Sequence, residues 1–188
     1  MKKIVLGISA SPRAKGNTEI LIKYILDQVR DKRIETKFVS FPELEIKPCV
    51  GCGYCAKNKR CKLEDDCERV FGLIKGADFI IIGSPVYRIG VPAQLKALID
   101  RSSYLIQRNE LFSDKLASIA IVGRKGATGK IQTANTLVDF FLSMDAIIVP
   151  PIVIGNAHKK GEIKEDRIAL LVAKQLGLRI NKIMKRLY

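Results

Sequence analysis

Four cysteines stand close together in the first third of the chain, and their spacing is the strongest chemical signal in the sequence. Cys49, Cys52, Cys55 and Cys61 form the pattern C-x2-C-x2-C-x5-C, with glycines between the first three. Thiolates at these intervals can bind the irons of a cubane cluster, and glycine permits the tight backbone that this requires. Because the sequence has no second run of this kind, the pattern predicts one [4Fe–4S] cluster per chain.

A zinc ion and unligated thiols are the two alternative interpretations of this run. Structural zinc sites built from four cysteines usually combine two CxxC pairs across a longer spacer, which this spacing lacks. The fifth cysteine, Cys67, follows Asp65 and Asp66 at the start of a predicted helix, and we interpret it as a small core residue. Clustered thiols of this kind are typical of a reducing compartment, so we expect a cytoplasmic protein.

The loop after the first predicted strand is a candidate phosphate site. Hydroxyl side chains, Arg13 and a glycine stand directly before a predicted helix, within residues 7–18. Free N–H groups at a helix N-terminus attract anions, and an arginine adds a charged donor. The sequence matches neither GxGxxG nor a Walker A loop. A serine-rich turn in which Asn17 or Thr18 caps the helix is the alternative interpretation.

Two later loops also follow predicted strands. Residues 83–92 contain two prolines, two glycines and the flat apolar side chain of Tyr87, a combination that suits an aromatic ring with polar edges, such as an isoalloxazine. A rigid turn with Tyr87 packed beneath it is the alternative. Residues 123–130 resemble a P-loop but have the wrong glycine spacing and lack the hydroxyl residue that binds Mg²⁺. We therefore predict that they form another ligand loop.

Apolar runs alternate with amphipathic stretches, which predicts a parallel sheet covered by helices. The predicted strands are 3–8, 34–39, 79–83, 117–122 and 146–154. The predicted helices are 18–30, 66–75, 92–107, 131–144 and 164–187. Residues 41–63 have no sustained period, and we predict a functional cysteine-rich loop inserted after the second strand. We thus expect one doubly wound α/β domain over residues 1–188, with ligands at the carboxyl ends of its strands.

The apolar residues of the last predicted helix follow a helical period. They would line one buried face of a covering helix whose outer side is basic. The residues assigned to this face are Ile168, Val172, Leu176, Ile180, Ile183 and Leu187.

The chain is strongly basic, with 33 Lys and Arg against 19 Asp and Glu and a net charge of +14. Residues 158–188 contain nine basic and three acidic side chains, and residues 49–63 contain four basic and no acidic ones. A basic nucleic-acid-binding module is a remote alternative, because no zinc-finger spacing, aromatic string or recognition helix accompanies the charge. No apolar stretch approaches the ~20 residues of a membrane span, and we expect neither a nucleic-acid nor a membrane partner.

The loop motifs resemble a known family. The first loop has S-x-S-P-R-x-x-G-N-T from Ser9 to Thr18, and the second has G-S-P-V-Y from Gly83 to Tyr87. With PAQLK at 92–96 and IDR at 99–101, they are similar over nearly the whole chain to the flavodoxin-like NAD(P)H-dependent FMN reductases. The resemblance implies a flavodoxin-like, five-stranded parallel sheet in the order 2-1-3-4-5.

The resemblance also implies where FMN binds. The first loop would hold the phosphate, the second would border the flavin ring, and the loop after the fourth strand would lie beside the ring. The residues nominated in this way are Ser9, Ser11, Arg13, Asn17, Thr18, Pro85, Val86, Tyr87, Gly90, Gly123, Arg124 and Gly126.

The cysteine run is similar to that of the iron–sulfur flavoprotein branch of the same family, which combines FMN with a [4Fe–4S] cluster in one chain. This implies a redox protein that relays electrons between a one-electron donor and a two-electron acceptor, as a homodimer or homotetramer. Basic residues around the cysteines would attract an acidic carrier such as ferredoxin. The alternative is an NAD(P)H-dependent FMN or quinone reductase without a working cluster.

Overall fold

Runs of isoleucine, valine and leucine form the centre of a parallel sheet. The computed structural model describes residues 2–126 and 128–187. Its strands are β1 (Lys3–Ser9), β2 (Ile34–Ser40), β3 (Phe79–Pro85), β4 (Leu116–Gly123), β5 (Ile147–Ile148) and β6 (Val153–Asn156). β1, β3 and β4 are buried almost throughout, because helices cover both faces of the sheet.

Helices connect these strands. They are α1 (Asn17–Asp27), α2 (Tyr54–Asn58), α3 (Cys67–Lys75), α4 (Ala93–Arg101), α5 (Ser103–Gln107), α6 (Gly129–Ser143) and α7 (Arg167–Arg186). Residues of α1 and α7 pack in the core on one face of the sheet, and residues of α3 to α6 pack in the core on the other. Within residues 2–126 and 128–187, no helix has the length and apolar character that crossing a membrane requires.

All strand pairs are parallel, and the strand order is β2-β1-β3-β4-β5, with β6 also paired to β4. The predicted flavodoxin-like order is therefore confirmed. Ser9 at the end of β1 lies opposite both Ser40 and Gly83. The carboxyl ends of these strands consequently meet at one edge of the sheet, where the loops that follow them can share a ligand.

The predicted fifth strand, 146–154, is wrong as a single element. β5 and β6 pair with different parts of β4, and Pro150 and Pro151 separate them. Proline has no N–H to donate to a strand ladder, so the chain leaves the sheet at this dipeptide and returns two residues later. The sheet thus has six strands rather than five among the described residues.

The predicted helix 92–107 is likewise divided, at Ser102, into α4 and α5. The Ser102 hydroxyl donates to the carbonyl oxygen of Ile99 over 2.7 Å, and the Ser103 hydroxyl donates to that of Asp100 over 2.9 Å. Serine side chains that bond to the preceding turn in this way compete with the helical backbone pattern. The interruption places Arg101 in the last turn of α4.

The predicted buried face of the last helix is only partly correct. Ile168 is 76% exposed and Leu187 is 53% exposed. The helix instead buries a face with three small residues at four-residue intervals. The buried residues of α7 are Ala169, Ala173, Leu176, Gly177, Ile180 and Met184. The small residues allow α7 to lie close against α1, which a face of large aliphatic side chains would prevent.

Two glycines with opposite surroundings test this close approach. A Cβ at Gly177 would lie 2.4 Å from Cβ of Gln28 and 2.9 Å from the carbonyl oxygen of Ile25, whereas a Cβ at Gly72 in α3 would meet nothing within 4 Å. We expect Gly177→Ala to lower the free energy of unfolding by about 1–3 kcal/mol. Gly72→Ala should raise it by about 0.5–1 kcal/mol. Urea unfolding followed by circular dichroism measures both, and a stabilising Gly177→Ala would contradict the packing argument.

Candidate functional site

A cleft of about 510 Å³ opens at the carboxyl ends of β1, β3, β4 and β6. This volume lies within the ~300–1,000 Å³ of sites that bind small molecules. The cleft brings together nine of the residues predicted to bind FMN, from three loops far apart in the chain. These are Ser11, Arg13, Asn17, Thr18, Pro85, Val86, Tyr87, Gly123 and Arg124.

The first loop presents a helix N-terminus to the cleft. Among the residues that the structure describes, no side chain caps α1, so the alternative of a cap by Asn17 or Thr18 is wrong. The Ser11 hydroxyl instead accepts a hydrogen bond from the backbone N–H of Arg13 over 3.1 Å. Uncapped N–H groups and the helix dipole favour an anion here, and Arg13 lines the same cleft. These residues therefore fit a phosphate group.

The side chain of Asn17 holds two loops together. Its amide nitrogen donates to the carbonyl oxygen of Lys159 over 2.8 Å, and its amide oxygen accepts from the N–H groups of Gly161 at 2.8 Å and Ile163 at 3.3 Å. The amide oxygen is thus fully engaged, whereas the backbone N–H and the second N–H of the amide nitrogen are the groups that Asn17 can offer to a ligand. The same bonds draw the loop after β6 over the start of α1.

His158 enters the cleft through this loop, together with Ala157. No local pattern places the only histidine of the chain at the site, because more than a hundred residues separate it from the first loop. Gly16, Arg88 and Val122 are further lining residues that sequence reasoning did not assign. Arg88 directly follows Tyr87 in the loop that was predicted to border the flavin ring. That position was the one feature of the sequence that could have indicated a place for Arg88 in the cleft.

Glu19 is a buried carboxylate that stabilises the first loop. It is 7% exposed, and its carboxylate accepts from the backbone N–H of Lys15 over 2.8 Å and from Nζ of Lys23 over 2.6 Å. Burial alone would raise the pKa of Glu19, but these bonds lower it on balance. Glu19 is the third residue of α1 and reaches back as the acidic residue of a capping box does, but its donor, Lys15, lies one residue before the N-cap Gly16.

A tight turn forms the opposite wall of the cleft. The backbones of Tyr87 and Gly90 exchange two hydrogen bonds, of 2.9 and 3.1 Å, around Arg88, which has a left-handed φ of +59°. Tyr87 is 38% exposed and lines the cleft, which contradicts the alternative that it packs beneath the turn. A Cβ on Gly129 would lie 2.9 Å from Cα of Ile89, so only glycine lets α6 begin this close to the turn.

Three predicted residues do not line the cleft. Ser9 is fully buried at the end of β1, and its hydroxyl has no hydrogen-bond partner among the described residues. Gly90 closes the turn with Tyr87, and Gly126 has a φ of +75° in the loop before α6. Their roles toward FMN stay predictions.

The four clustered cysteines surround a second cavity, of about 150 Å³. Cys49 and Cys52 are exposed, whereas Cys55 and Cys61 are half-buried. The glycines between the first three cysteines, Gly51 and Gly53, have φ values of +63° and +67°, which side-chain-bearing residues rarely adopt. Glycine therefore stands, as predicted, at the positions where the backbone between the first three cysteines turns back on itself.

The positions of these thiols bear on the two metal groups that the sequence suggests, a single zinc ion and a [4Fe–4S] cluster. Within residues 2–126 and 128–187, no three His, Cys, Asp or Glu side chains converge closely enough to hold one metal ion. A structural zinc ion needs four ligands at about 2.3 Å from one point. In a [4Fe–4S] cluster each thiolate binds a different iron, and four thiols that line one cavity are compatible with such a group.

A buried ion pair closes the base of the cysteine loop. Nη1 of Arg101 donates to Oδ2 of Asp65 and, over 3.2 Å, to the carbonyl oxygen of Lys47. Nη2 donates to the carbonyl oxygen of Leu63 over 3.3 Å, and Asp65 accepts from the N–H groups of Lys47 and Cys67. One guanidinium thus fixes the backbone both before and after the four cysteines.

The pair keeps both of its charges. Burial alone would raise the pKa of Asp65, but hydrogen bonds from Arg101, Lys47 and Cys67 lower it on balance. Burial would lower the pKa of Arg101, but the bond to Asp65 raises it overall. The stabilisation from a lowered aspartate pKa is complete above its ordinary value of ~4 and is lost as the pH falls through the lowered value.

Cys67 is separate from the other four thiols. It is fully buried in the core beside Val70, Phe71 and Tyr104. Burial raises the pKa of its thiol to about 12. The thiol is therefore protonated at neutral pH, which confirms the interpretation of Cys67 as a core residue.

Comparison with known proteins gives the relatives of this chain. The family model described as NADPH-dependent FMN reductase matches residues 4–159. An iron-sulfur flavoprotein of Methanocaldococcus jannaschii is 37% identical over 188 residues, covering 96% of this chain and 97% of that protein. An iron-sulfur flavoprotein of Methanosarcina thermophila is 34% identical over 185 residues, covering 96% of this chain and 95% of that protein.

Solved structures give the same fold. A WrbA-like flavodoxin from Agrobacterium tumefaciens superposes with a TM-score of 0.66 at 17% identity, covering 99% of each chain. The Trp repressor binding protein from Bacillus subtilis superposes with a TM-score of 0.67 at 19% identity, covering 92% of this chain and 96% of that one. These similarities support the flavodoxin-like architecture.

Two basic residues of α4 provide a test of the buried ion pair. Arg101→Ala leaves the Asp65 carboxylate buried without its partner, and we expect a loss of about 3–5 kcal/mol in the free energy of unfolding. Lys96→Ala removes an exposed pair with Asp100 on the same helix and should cost only about 0.3–0.5 kcal/mol. Urea unfolding of the purified variants measures the difference, and equal losses would show that the buried pair does not hold the loop.

Proposed function

This chain belongs to the iron–sulfur flavoprotein branch of the NADPH-dependent FMN reductase family and is a flavin-dependent oxidoreductase, and we propose that it relays electrons one at a time between an acidic carrier and its FMN through a [4Fe–4S] cluster. The observation that carries this proposal is the cavity bordered by Cys49, Cys52, Cys55 and Cys61 in a chain that also has the flavin cleft. FMN exchanges one or two electrons and such a cluster one, so together they couple one-electron donors to two-electron acceptors.

Different residues of the cleft would bind different parts of FMN. The uncapped start of α1 and Arg13 would bind the phosphate, because they combine free N–H groups with a charged donor. The Tyr87–Gly90 turn and Gly123 would border the ring. Arg124, Arg88 and His158 would place donors and positive charge around its edges.

The cysteine loop would hold the cluster and shield it partly from water. Each of the four thiolates would bind one iron, and the backbone around Gly51 and Gly53 leaves N–H groups near the sulfurs. The half-buried Cys55 and Cys61 lie on the protein side, and the exposed Cys49 and Cys52 lie toward solvent. This exposure gives an external donor a short path to the cluster.

The surface around the cysteines fits an acidic carrier such as ferredoxin. The cysteine loop contains four exposed basic residues and the apolar Val50, which is 62% exposed. The basic residues are Lys57, Lys59, Arg60 and Lys62. A positive field speeds the encounter with a negatively charged protein, and an exposed apolar side chain lets the pair exclude water on contact. A homodimer or homotetramer and a cytoplasmic location remain part of the proposal.

An NAD(P)H-dependent FMN or quinone reductase without a working cluster is the second candidate. An NADPH azoreductase of a Bacillus species is 26% identical over 180 residues. A further cleft of about 580 Å³ shares Arg124, Ala157 and His158 with the flavin cleft, which leaves space for a second ligand beside the ring. Rapid bleaching of bound FMN by NADPH, unchanged when the cysteines are replaced, would favour this candidate.

The phosphate site is tested by two charge-removing substitutions in one loop. Arg13 lines the cleft and Lys15 does not. We expect Arg13→Gln to weaken FMN binding about 10- to 100-fold, since a charge-assisted bond contributes ~1.5–3 kcal/mol, and to leave riboflavin binding unchanged. Lys15→Gln should leave both unchanged. Flavin fluorescence titration measures the affinities, and equal weakening of FMN and riboflavin would refute the phosphate assignment.

The cluster is tested by iron content and by two cysteine substitutions. Protein purified without oxygen should contain roughly four irons and one FMN per chain. Cys55→Ser should lose most of the iron while keeping FMN, because the two sites lie in separate cavities. Cys67→Ala should keep the iron, because this thiol lies in the core. A wild-type protein without iron and with all four clustered thiols titratable would exclude the cluster.

A further inference from the structure

Arg101 borders the cysteine cavity and has one buried N–H group that makes no hydrogen bond to the described residues. The residue is 3% exposed and lines the cavity together with the four cysteines. Its two terminal nitrogens bond to Asp65, Lys47 and Leu63, whereas Nε is buried and has no acceptor among the described residues. A buried N–H without an acceptor costs free energy, so it is normally found where a ligand or water completes it.

The ion pair is oriented with its positive end toward the cavity. Arg101 lines the cavity, whereas Asp65 does not line it and borders a neighbouring depression instead. The carboxylate is also enclosed by its three donors.

The other charged groups at the cavity are exposed to water. Lys62 and Asp100 also line it, but both are exposed, and Asp100 pairs with Lys96. Water screens such charges, whereas a buried charge acts through a lower effective dielectric. Among the charged groups that line the cavity within residues 2–126 and 128–187, Arg101 therefore has the strongest electrostatic effect on any group bound there.

Building on the proposed cluster, we propose that Arg101 sets its reduction potential, by donating Nε–H to a cluster sulfur and by placing the positive end of its ion pair beside it. Each electron that the cluster accepts makes it one charge more negative. A nearby buried cation and a hydrogen bond to sulfur both favour that reduced state, so they raise the potential. The ion pair that closes the loop thus also adjusts how readily the cluster takes an electron from the donor.

Opposite charge changes in the pair distinguish this role from a structural one. We expect Arg101→Gln to lower the reduction potential by at least about 59 mV, a tenfold shift toward the oxidised state. Asp65→Asn should raise the potential, because the positive charge then lacks its counter-charge. Arg101→Lys should restore much of the loss, and Lys62→Gln, at an exposed position on the same cavity, should change little. An EPR-monitored redox titration of the anaerobically purified protein measures each value.

The outcomes separate this inference from the proposed function. A wild-type protein with no iron and no EPR signal refutes the cluster itself. A cluster whose potential moves in the same direction in Arg101→Gln and Asp65→Asn, or in neither, refutes the role of Arg101 alone. Opposite shifts, with the potential largely restored by lysine, support it.

A measurement on the wild-type chain covers the case in which the variants lose iron. Protein labelled with ¹⁵N-arginine should show hyperfine coupling between an arginine nitrogen and the reduced cluster in pulsed EPR. Arg60→Lys should keep this coupling, because Arg60 lies on the exposed side of the cysteine loop, where it contacts Tyr54. An iron-containing protein without arginine coupling overturns the proposal.

Discussion

The ion pair between Arg101 and Asp65 is the constraint on which the cysteine site depends. Phe41 and Ile46 anchor the start of residues 41–63 in the core, but none of the residues 47–63 is buried, so burial of large side chains cannot fix the course of the cysteine run. One guanidinium bonded to the backbone before and after the cysteines does so instead. Removing either partner would leave an unpaired charge in the interior, which explains why a costly buried pair can hold an irregular loop in place.

Helix α4 connects this constraint to the flavin cleft. The helix begins just after the turn that borders the cleft and ends at Arg101, which borders the cysteine cavity. Nine helical residues span about 13 Å, so one rigid element fixes both sites in the same chain. At the other side of the cleft, Asn17 performs a similar task by tying the loop that carries His158 to the start of α1.

Much of the fold was predictable because the central strands are buried on both faces, and such strands require uninterrupted apolar runs. The predicted elements were wrong where a local backbone preference competed with the hydrophobic periodicity of the sequence. Two prolines divided the last strand, and serine hydroxyls divided the helix before residue 103. The buried face of α7 was misassigned because close packing against α1 selected small residues such as Gly177 rather than the most hydrophobic ones.

The sequence by itself determined the chemistry: the cysteine spacing, the anion-binding loop and the ring loop are each local, so their residue types carry the information. Only the tertiary structure decided which residues share a cavity and which polar atoms remain available. It brought His158 to the cleft, engaged the side chain of Asn17 elsewhere, and left Nε of Arg101, at the cysteine cavity, without a partner in the described part of the chain. These outcomes depend on contacts between residues far apart in the chain, which no local pattern encodes, because the order of strands in the sheet sets which loops meet.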